Sequence, residues 1–374
     1  MHAKHATERP AFWPLMALCL LGCLTAQVRA DKVDEFVAAQ MREHNLVGLS
    51  LAVIEDGKIV KAQGYGFTDK SRGKPVTPLT LFQAGSVSKP VAALGALRLV
   101  EQGKLSLDED VNQRLRTWKV PENEFTQDAK VTLRLILCHS AGLTVHGFPG
   151  YGVRAPVPTL VEILDGGKPA NTPPIRVDIV PGTKVRYSGG GYTVMQQLML
   201  DVTGLPFPVL LRESVLQPLG MAHSTFEQPL RPELAANTAS GYYANGAPVK
   251  GRWHVYPEMA AAGLWSTPSD LARFAIGIQD SLAGRTNRVI SAEMTREMLR
   301  VQGPGDGLGV FITGSGKNRQ FSHNGRDEGF DTLMKAGAET RQGAVIMINA
   351  NDDSQTLNKI TEAITREYHW PAGL

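Results

Sequence analysis

An α+β fold is predicted: one antiparallel β-sheet flanked by N- and C-terminal helices, with a mainly helical lobe inserted. Three observations predict it. Short strand-like apolar runs gather near residues 49–68 and again from 308 to 350. Segments with helical spacing fill the interval between them, and one helical pattern lies outside each strand cluster. The sheet lobe is expected over residues 31–85 plus about 300–374, and the helical lobe over about 86–299.

The chain has 374 residues, 43% hydrophobic and 20% charged, enough for a substantial core. Residues 1–30 read as a secretory signal. Lys4 and Arg9 supply the basic region, Phe12 to Leu24 the apolar stretch, and Val28-Arg29-Ala30 a cleavage site before Asp31. Export to the periplasm or medium follows, with no membrane span after cleavage. A lipoprotein anchor at Cys23, in Leu20-Leu21-Gly22-Cys23, is the minority alternative. Net charge is +3, and no Lys/Arg run stands out, which argues against nucleic acid as partner. Of three cysteines only Cys138 lies beyond the signal, so no internal disulfide is expected in a cleaved chain.

In chain order, a helix is expected through Val33, Phe36, Val37 and Met41. Strands follow at Leu49–Ile54 and Ile59–Ala62, joined by a hairpin at Asp56-Gly57, and a third run over Gly64–Thr68 continues the meander. Leu81-Phe82-Gln83-Ala84 then leads into Gly85-Ser86-Val87-Ser88-Lys89. The helix that starts there carries Val91, Leu94, Leu97 and Val100 and stops at Gly103. Side chains three apart share a helix face, so Lys89 can take the proton of a nucleophilic Ser86. Ser71 and Lys74 share the spacing but sit in a Gly/Pro-punctuated turn.

A short capped helix is expected from Thr132 to a turn at Gly142, with Cys138 and His139 structural and His139 bonding nearby backbone. No second ligand pair makes them a metal site. Residues 144–186 are irregular and proline-rich, equally a lid or a surface excursion. Tyr187-Ser188-Gly189-Gly190-Gly191 opens a helix closing at Gly204. No Gly-Lys-Ser/Thr ending follows it, so it is not a phosphate loop, and no cofactor is implied. A helix over Pro208–Leu216 comes next. Thr267-Pro268-Ser269-Asp270 reads as a capping box opening another, and Ser291 as a further cap. Strands at Leu308–Thr313, Gln320–His323, Thr332–Ala336 and Ala344–Ala350 precede a last helix over roughly Leu357–Tyr368.

Three of these segments, Ser86-Val87-Ser88-Lys89, Tyr187-Ser188-Gly189 and His323-Asn324-Gly325, resemble in order the three motifs of the serine β-lactamase/penicillin-binding superfamily. The version here is similar to its class C β-lactamase-like serine hydrolases and esterases. Leu137–Leu143, Leu219-Gly220-Met221 and Gly263–Leu271 agree with it. The resemblance implies a β-lactamase/transpeptidase-like fold and an acyl-enzyme on Ser86, with Lys89 and Tyr187 sharing general base and acid work. It implies an oxyanion hole from the backbone N–H groups of Ser86 and Arg326. Ser188, Gly189, His323, Asn324 and Gly325 would line the substrate site, Gly325 keeping the strand open to substrate.

Two departures bear on substrate. Gly189 stands where β-lactamases and DD-peptidases place an asparagine, and His323 where they place a lysine that holds a carboxylate. A small-molecule or peptide ester or amide is therefore the first expectation. The alternatives are a DD-carboxypeptidase or β-lactamase, and a silent binding or sensory module. Retention of a serine, lysine and tyrosine together argues against the silent module.

Overall fold

Apolar alternation at both ends of the chain closes the main antiparallel sheet. The computed structural model describes residues 1–3, 31–71, 73–352 and 354–371. The signal and lipoprotein readings, on residues 1–30 with Cys19 and Cys23, lie outside the described residues except for the first three. The sheet has seven strands: β1 (Gly48–Glu55), β2 (Lys58–Asp69), β3 (Lys74–Pro75), β4 (Phe311–Thr313), β5 (Gln320–Asp327), β6 (Phe330–Gly337) and β7 (Gly343–Ile348). Their spatial order is β3-β2-β1-β7-β6-β5-β4, so the N-terminal hairpin joins the C-terminal meander where β1 meets β7, in register Leu49 with Ile348.

Both faces of this sheet are covered. Leu49, Leu51 and Val53 of β1 and Ile346 and Ile348 of β7 pack with Val33 and Val37 of the first helix and Ile360 and Ile364 of the last. The alternate residues, Ala52, Ile54, Val345 and Met347, face the core shared with the inserted helices. The first helix, Lys32–Glu43, starts with a true capping box, Asp31 and Asp34 each accepting the other's backbone N–H. Lys61 on β2 pairs with both carboxylates, at 2.9 and 2.7 Å, which docks the helix on the sheet. Among the described residues no single helix is long and apolar enough to cross a membrane.

Several elements depart from expectation. The run Gly64–Thr68 is not a separate strand; it belongs to a twelve-residue β2 that pairs with β1 as far as Gly66, with a register shift at Val53/Ile54, and with β3 at Phe67 and Asp69. Only the last three residues of Leu308–Thr313 enter the sheet. Pro208–Leu216 is α-helical over Phe207–Leu211 and π-helical over Arg212–Leu216. Thr267 caps its helix by accepting from Asp270 N–H, but the reciprocal bond is absent. The Asp270 carboxylate accepts from His223 N–H, Ser224 Oγ and Arg273 instead, which ties the helix start to the loop before it.

Candidate active site

Backbone crowding shapes the turn that carries Ser86. Gly85 has φ +52°, and a Cβ there would lie 2.6 Å from Arg326 N, so conformation and space both call for glycine. Gly85–Val87 form one 3₁₀ turn, and the α-helix runs from Ser88 to Glu101 rather than from Ser86. Ser88 Oγ donates to Gly85 O at 2.6 Å and accepts from Leu264 N–H at 2.9 Å, fastening the turn to the opposing segment. Lys89 Nζ thereby donates to Ser86 Oγ at 2.9 Å and to Ala261 O at 2.8 Å, on a side chain only 1% exposed. The rival pair is not assembled. Ser71 Oγ donates to Asp69 at 2.6 Å in an exposed turn, and Lys74 is exposed on the edge strand β3.

Tyr187 lies under the same ammonium, its ring centroid 4.9 Å from Lys89 Nζ. His139 packs behind it at 4.2 Å and His146 beside it at 4.8 Å. Ser188 N–H donates to His139 Nδ1 at 3.1 Å. Burial, then the nearby Lys89 and two further histidines, holds His139 well below the ordinary histidine value, consistent with a neutral ring accepting at Nδ1. His139 thus steadies the Tyr187-Ser188 peptide. Ser188 itself is a cap: its hydroxyl accepts from Gly191 N–H and donates to Thr144 O, at 2.9 and 2.8 Å. Gly189 N–H donates to His146 O, and a Cβ on Gly189 would lie 3.0 Å from that oxygen and 3.1 Å from Phe148. The irregular segment is therefore packed against the second motif, and its 146–148 loop occupies the space beside Gly189.

Strand β5 divides its residues by period two. His323, Gly325 and Asp327 are buried on the side of Ser86, while Asn324 and Arg326 are exposed. The Asn324 side chain, expected to line the site, is on the other face. Gly325 also has a different reason from the one expected. A Cβ there would lie 2.0 Å from Ala84 O and 3.0 Å from Ser86 N, so the turn that carries Ser86 excludes a side chain. This close approach puts Ser86 N and Arg326 N at one junction. The Arg326 guanidinium leaves the site, gripping Asp331 at 2.8 and 2.7 Å and Asp352 O at 2.9 Å. His323 stacks on Phe311 at 4.8 Å, and its Nδ1 lies 2.6 Å from Asn324 O. Burial first, then Lys89, holds it down to about 3 against that backbone contact, so it is neutral at pH 7.

Two buried acids escaped sequence reasoning. Glu258 precedes the Met259–Ala262 helix whose Ala261 carbonyl receives Lys89, and burial pushes its carboxyl up to about 8. Burial also pushes Asp327 well above the carboxylate range, with Lys89 opposing. The signal for Asp327 was its place two residues beyond Gly325 on one strand; Glu258 carries no local signal. An open cleft of about 610 Å³ adjoins the site, lined by Phe148, Tyr243, Asn245, Arg326, Asp327 and Glu328 among others. No group of His, Cys, Asp and Glu suited to a metal occurs among the described residues.

The family model described as Beta-lactamase matches residues 33–367. Protein flp of Staphylococcus aureus (strain N315) is 23% identical over 362 residues, covering 90% of this chain and 66% of that protein. The chain thus spans just under two thirds of that relative's length. Esterase EstB of Burkholderia gladioli is 30% identical over 209 residues, 54% of this chain and 53% of EstB. The octameric penicillin-binding protein homologue from Pyrococcus abyssi superposes with a TM-score of 0.73 at 24% identity, covering 91% of this chain and 77% of that one. The expected sheet-and-inserted-lobe architecture is the fold of this structural neighbour.

Proposed function

Because the chain belongs to the Beta-lactamase family, we propose that it is an exported serine hydrolase of esterase type, acting on an ester or amide. The observation that carries this is the 2.9 Å hydrogen bond between the buried Lys89 Nζ and Ser86 Oγ. Ser86 Oγ attacks the substrate carbonyl carbon while its proton passes to the basic member of the Lys89–Tyr187 pair, a neutral Lys89 amine or a Tyr187 phenolate. The N–H groups of Ser86 and Arg326 receive the oxyanion. The pair returns the proton to the departing alcohol or amine as the acyl–oxygen or acyl–nitrogen bond breaks. Water then hydrolyses the Ser86 ester by the same route in reverse.

Esterase chemistry is preferred to cell-wall peptidase or β-lactamase chemistry on three grounds. His323 is neutral where a permanent cation would hold a carboxylate. Arg326, the nearest replacement on the strand, is bound to Asp331. EstB, a relative over about half the chain, is named an esterase. The test is intact mass of residues 31–374 after exposure to a fluorophosphonate and, separately, to a penicillin. We expect a fluorophosphonate adduct that Ser86→Ala abolishes. A stable penicillin adduct on Ser86 would move the assignment to the penicillin-binding reading, and no adduct with either would overturn the hydrolase.

A further inference from the structure

Tyr187 stands among rings. Phe311 on β4 lies 6.3 Å from it, centroid to centroid, and stacks on His323 at 4.8 Å with the two planes 27° apart. His323 is itself 6.2 Å from Tyr187. Beside the second motif, Phe148 packs so near Gly189 that a Cβ there would lie 3.1 Å from the Phe148 Cε2 atom. Phe148 also lines the open cleft that Arg326 borders. Phe148 and Phe311 are both half-buried, so part of each ring stays open. Gly189 and His323 are the two positions at which the sequence departs from the asparagine and lysine of β-lactamases and DD-peptidases. The fold sets a phenylalanine against each of them. His323 is a neutral imidazole, Asn324 is on the other face of β5, and the Arg326 guanidinium is bound to Asp331.

From this we infer that the substrate carries an aromatic group close to its scissile bond, packed against the open parts of Phe148 and Phe311. These two side chains are then specificity-determining residues. The inference rests on the serine hydrolase reading and narrows its substrate class. Both polar footholds are replaced by rings, at two positions contributed by different segments, so the change of character is concerted. A half-exposed ring gains when an apolar group covers it, in proportion to the area taken from water. Two aromatic rings gain a further attraction that a saturated ring of the same size does not supply, because offset or edge-to-face contact aligns their quadrupoles. The aromatic group can belong to the acyl part or to the leaving group, since the two phenylalanines lie beside different motifs.

Two ester series test it with the full chain, each reaction followed by acid release at constant pH and with Ser86→Ala as control. One keeps ethanol as the alcohol and varies the acyl group through acetyl, cyclohexylacetyl and phenylacetyl. The other keeps acetate and varies the alcohol through ethyl, 2-cyclohexylethyl and 2-phenylethyl. Dividing each kcat/KM by the hydroxide rate constant of the same ester removes differences in intrinsic reactivity. We expect the phenyl member of one series to exceed its ring-free member by about tenfold and its cyclohexyl member by about threefold. The double variant Phe148→Leu/Phe311→Leu keeps apolar bulk at both places and should bring the phenyl-to-cyclohexyl ratio down to about one. A phenyl member no better than its ring-free or cyclohexyl counterpart in both series overturns the inference, as does a phenyl preference that the double variant retains. In either case Ser86-dependent hydrolysis of any of the esters upholds the hydrolase. Absence of Ser86-dependent hydrolysis from every ester overturns both.

Discussion

At the residue scale the site is a set of side chains held by donors and acceptors outside the reaction. Lys89 keeps one of its hydrogen bonds on Ala261 O, so its approach to Ser86 is fixed by the main chain. Ser86→Ala should abolish turnover while leaving the fold intact, because Lys89 keeps its hydrogen bond to Ala261 O. Lys89→Ala and Tyr187→Phe should each lose about a hundredfold or more in kcat, and the double variant little more than the worse single one. Additive losses would show that the two groups do not share one proton-transfer step. Glu258 makes a pH prediction. Its folded value of about 8 lies above the ordinary 4.5, so the folded protein holds a proton that the unfolded chain releases between those limits. Stability should therefore fall as pH rises from about 4.5 to about 8. Glu258→Gln should flatten that part of the curve of melting temperature against pH; parallel curves would refute it.

At the element scale the close contact of β5 with the Ala84–Ser86 turn decides the geometry. The strand approaches so near that Gly85 and Gly325 each exclude a Cβ, and this brings Ser86 N and Arg326 N together. Gly325→Ala must move Ala84 O, which is backbone, so loss of soluble protein or a fall of several degrees in melting temperature is expected. A fully folded and active Gly325→Ala would mean the strand can retreat. Ser188→Ala removes the cap of the Gly189–Thr203 helix and its tie to Thr144. About 1 kcal/mol of unfolding free energy should go with it, readable by urea titration.

At the scale of the whole molecule, one sheet separates two cores with different tasks. The terminal helices cover the face away from Ser86, and the inserted lobe covers the face that carries it. Ile364→Ala, in the core of the terminal helices, should cost about 2–4 kcal/mol while leaving kcat/KM for an ester unchanged. A parallel loss of activity would show that the two faces are mechanically coupled. The sheet joins chain ends some three hundred residues apart through β1 and β7.

The sequence alone determined the texture of the elements and the serine-to-lysine spacing of the first motif. Period-two runs, the Asp56-Gly57 hairpin, the caps at Thr132 and Ser291 and the serine-to-lysine spacing are local signals, and local signals survive in one dimension. The tertiary structure decided the rest. It packed Ser86, which its place before a helical pattern already set apart from Ser71, against the third motif's strand. It turned Asn324 and Arg326 away from the site, a matter of strand register against a distant turn. It made Ser188 a cap, filled the space beside Gly189 with residues 146–148, and set Asp327 near Glu258. Those outcomes depend on contacts between segments far apart in the chain, and no residue's neighbours in sequence carry that information.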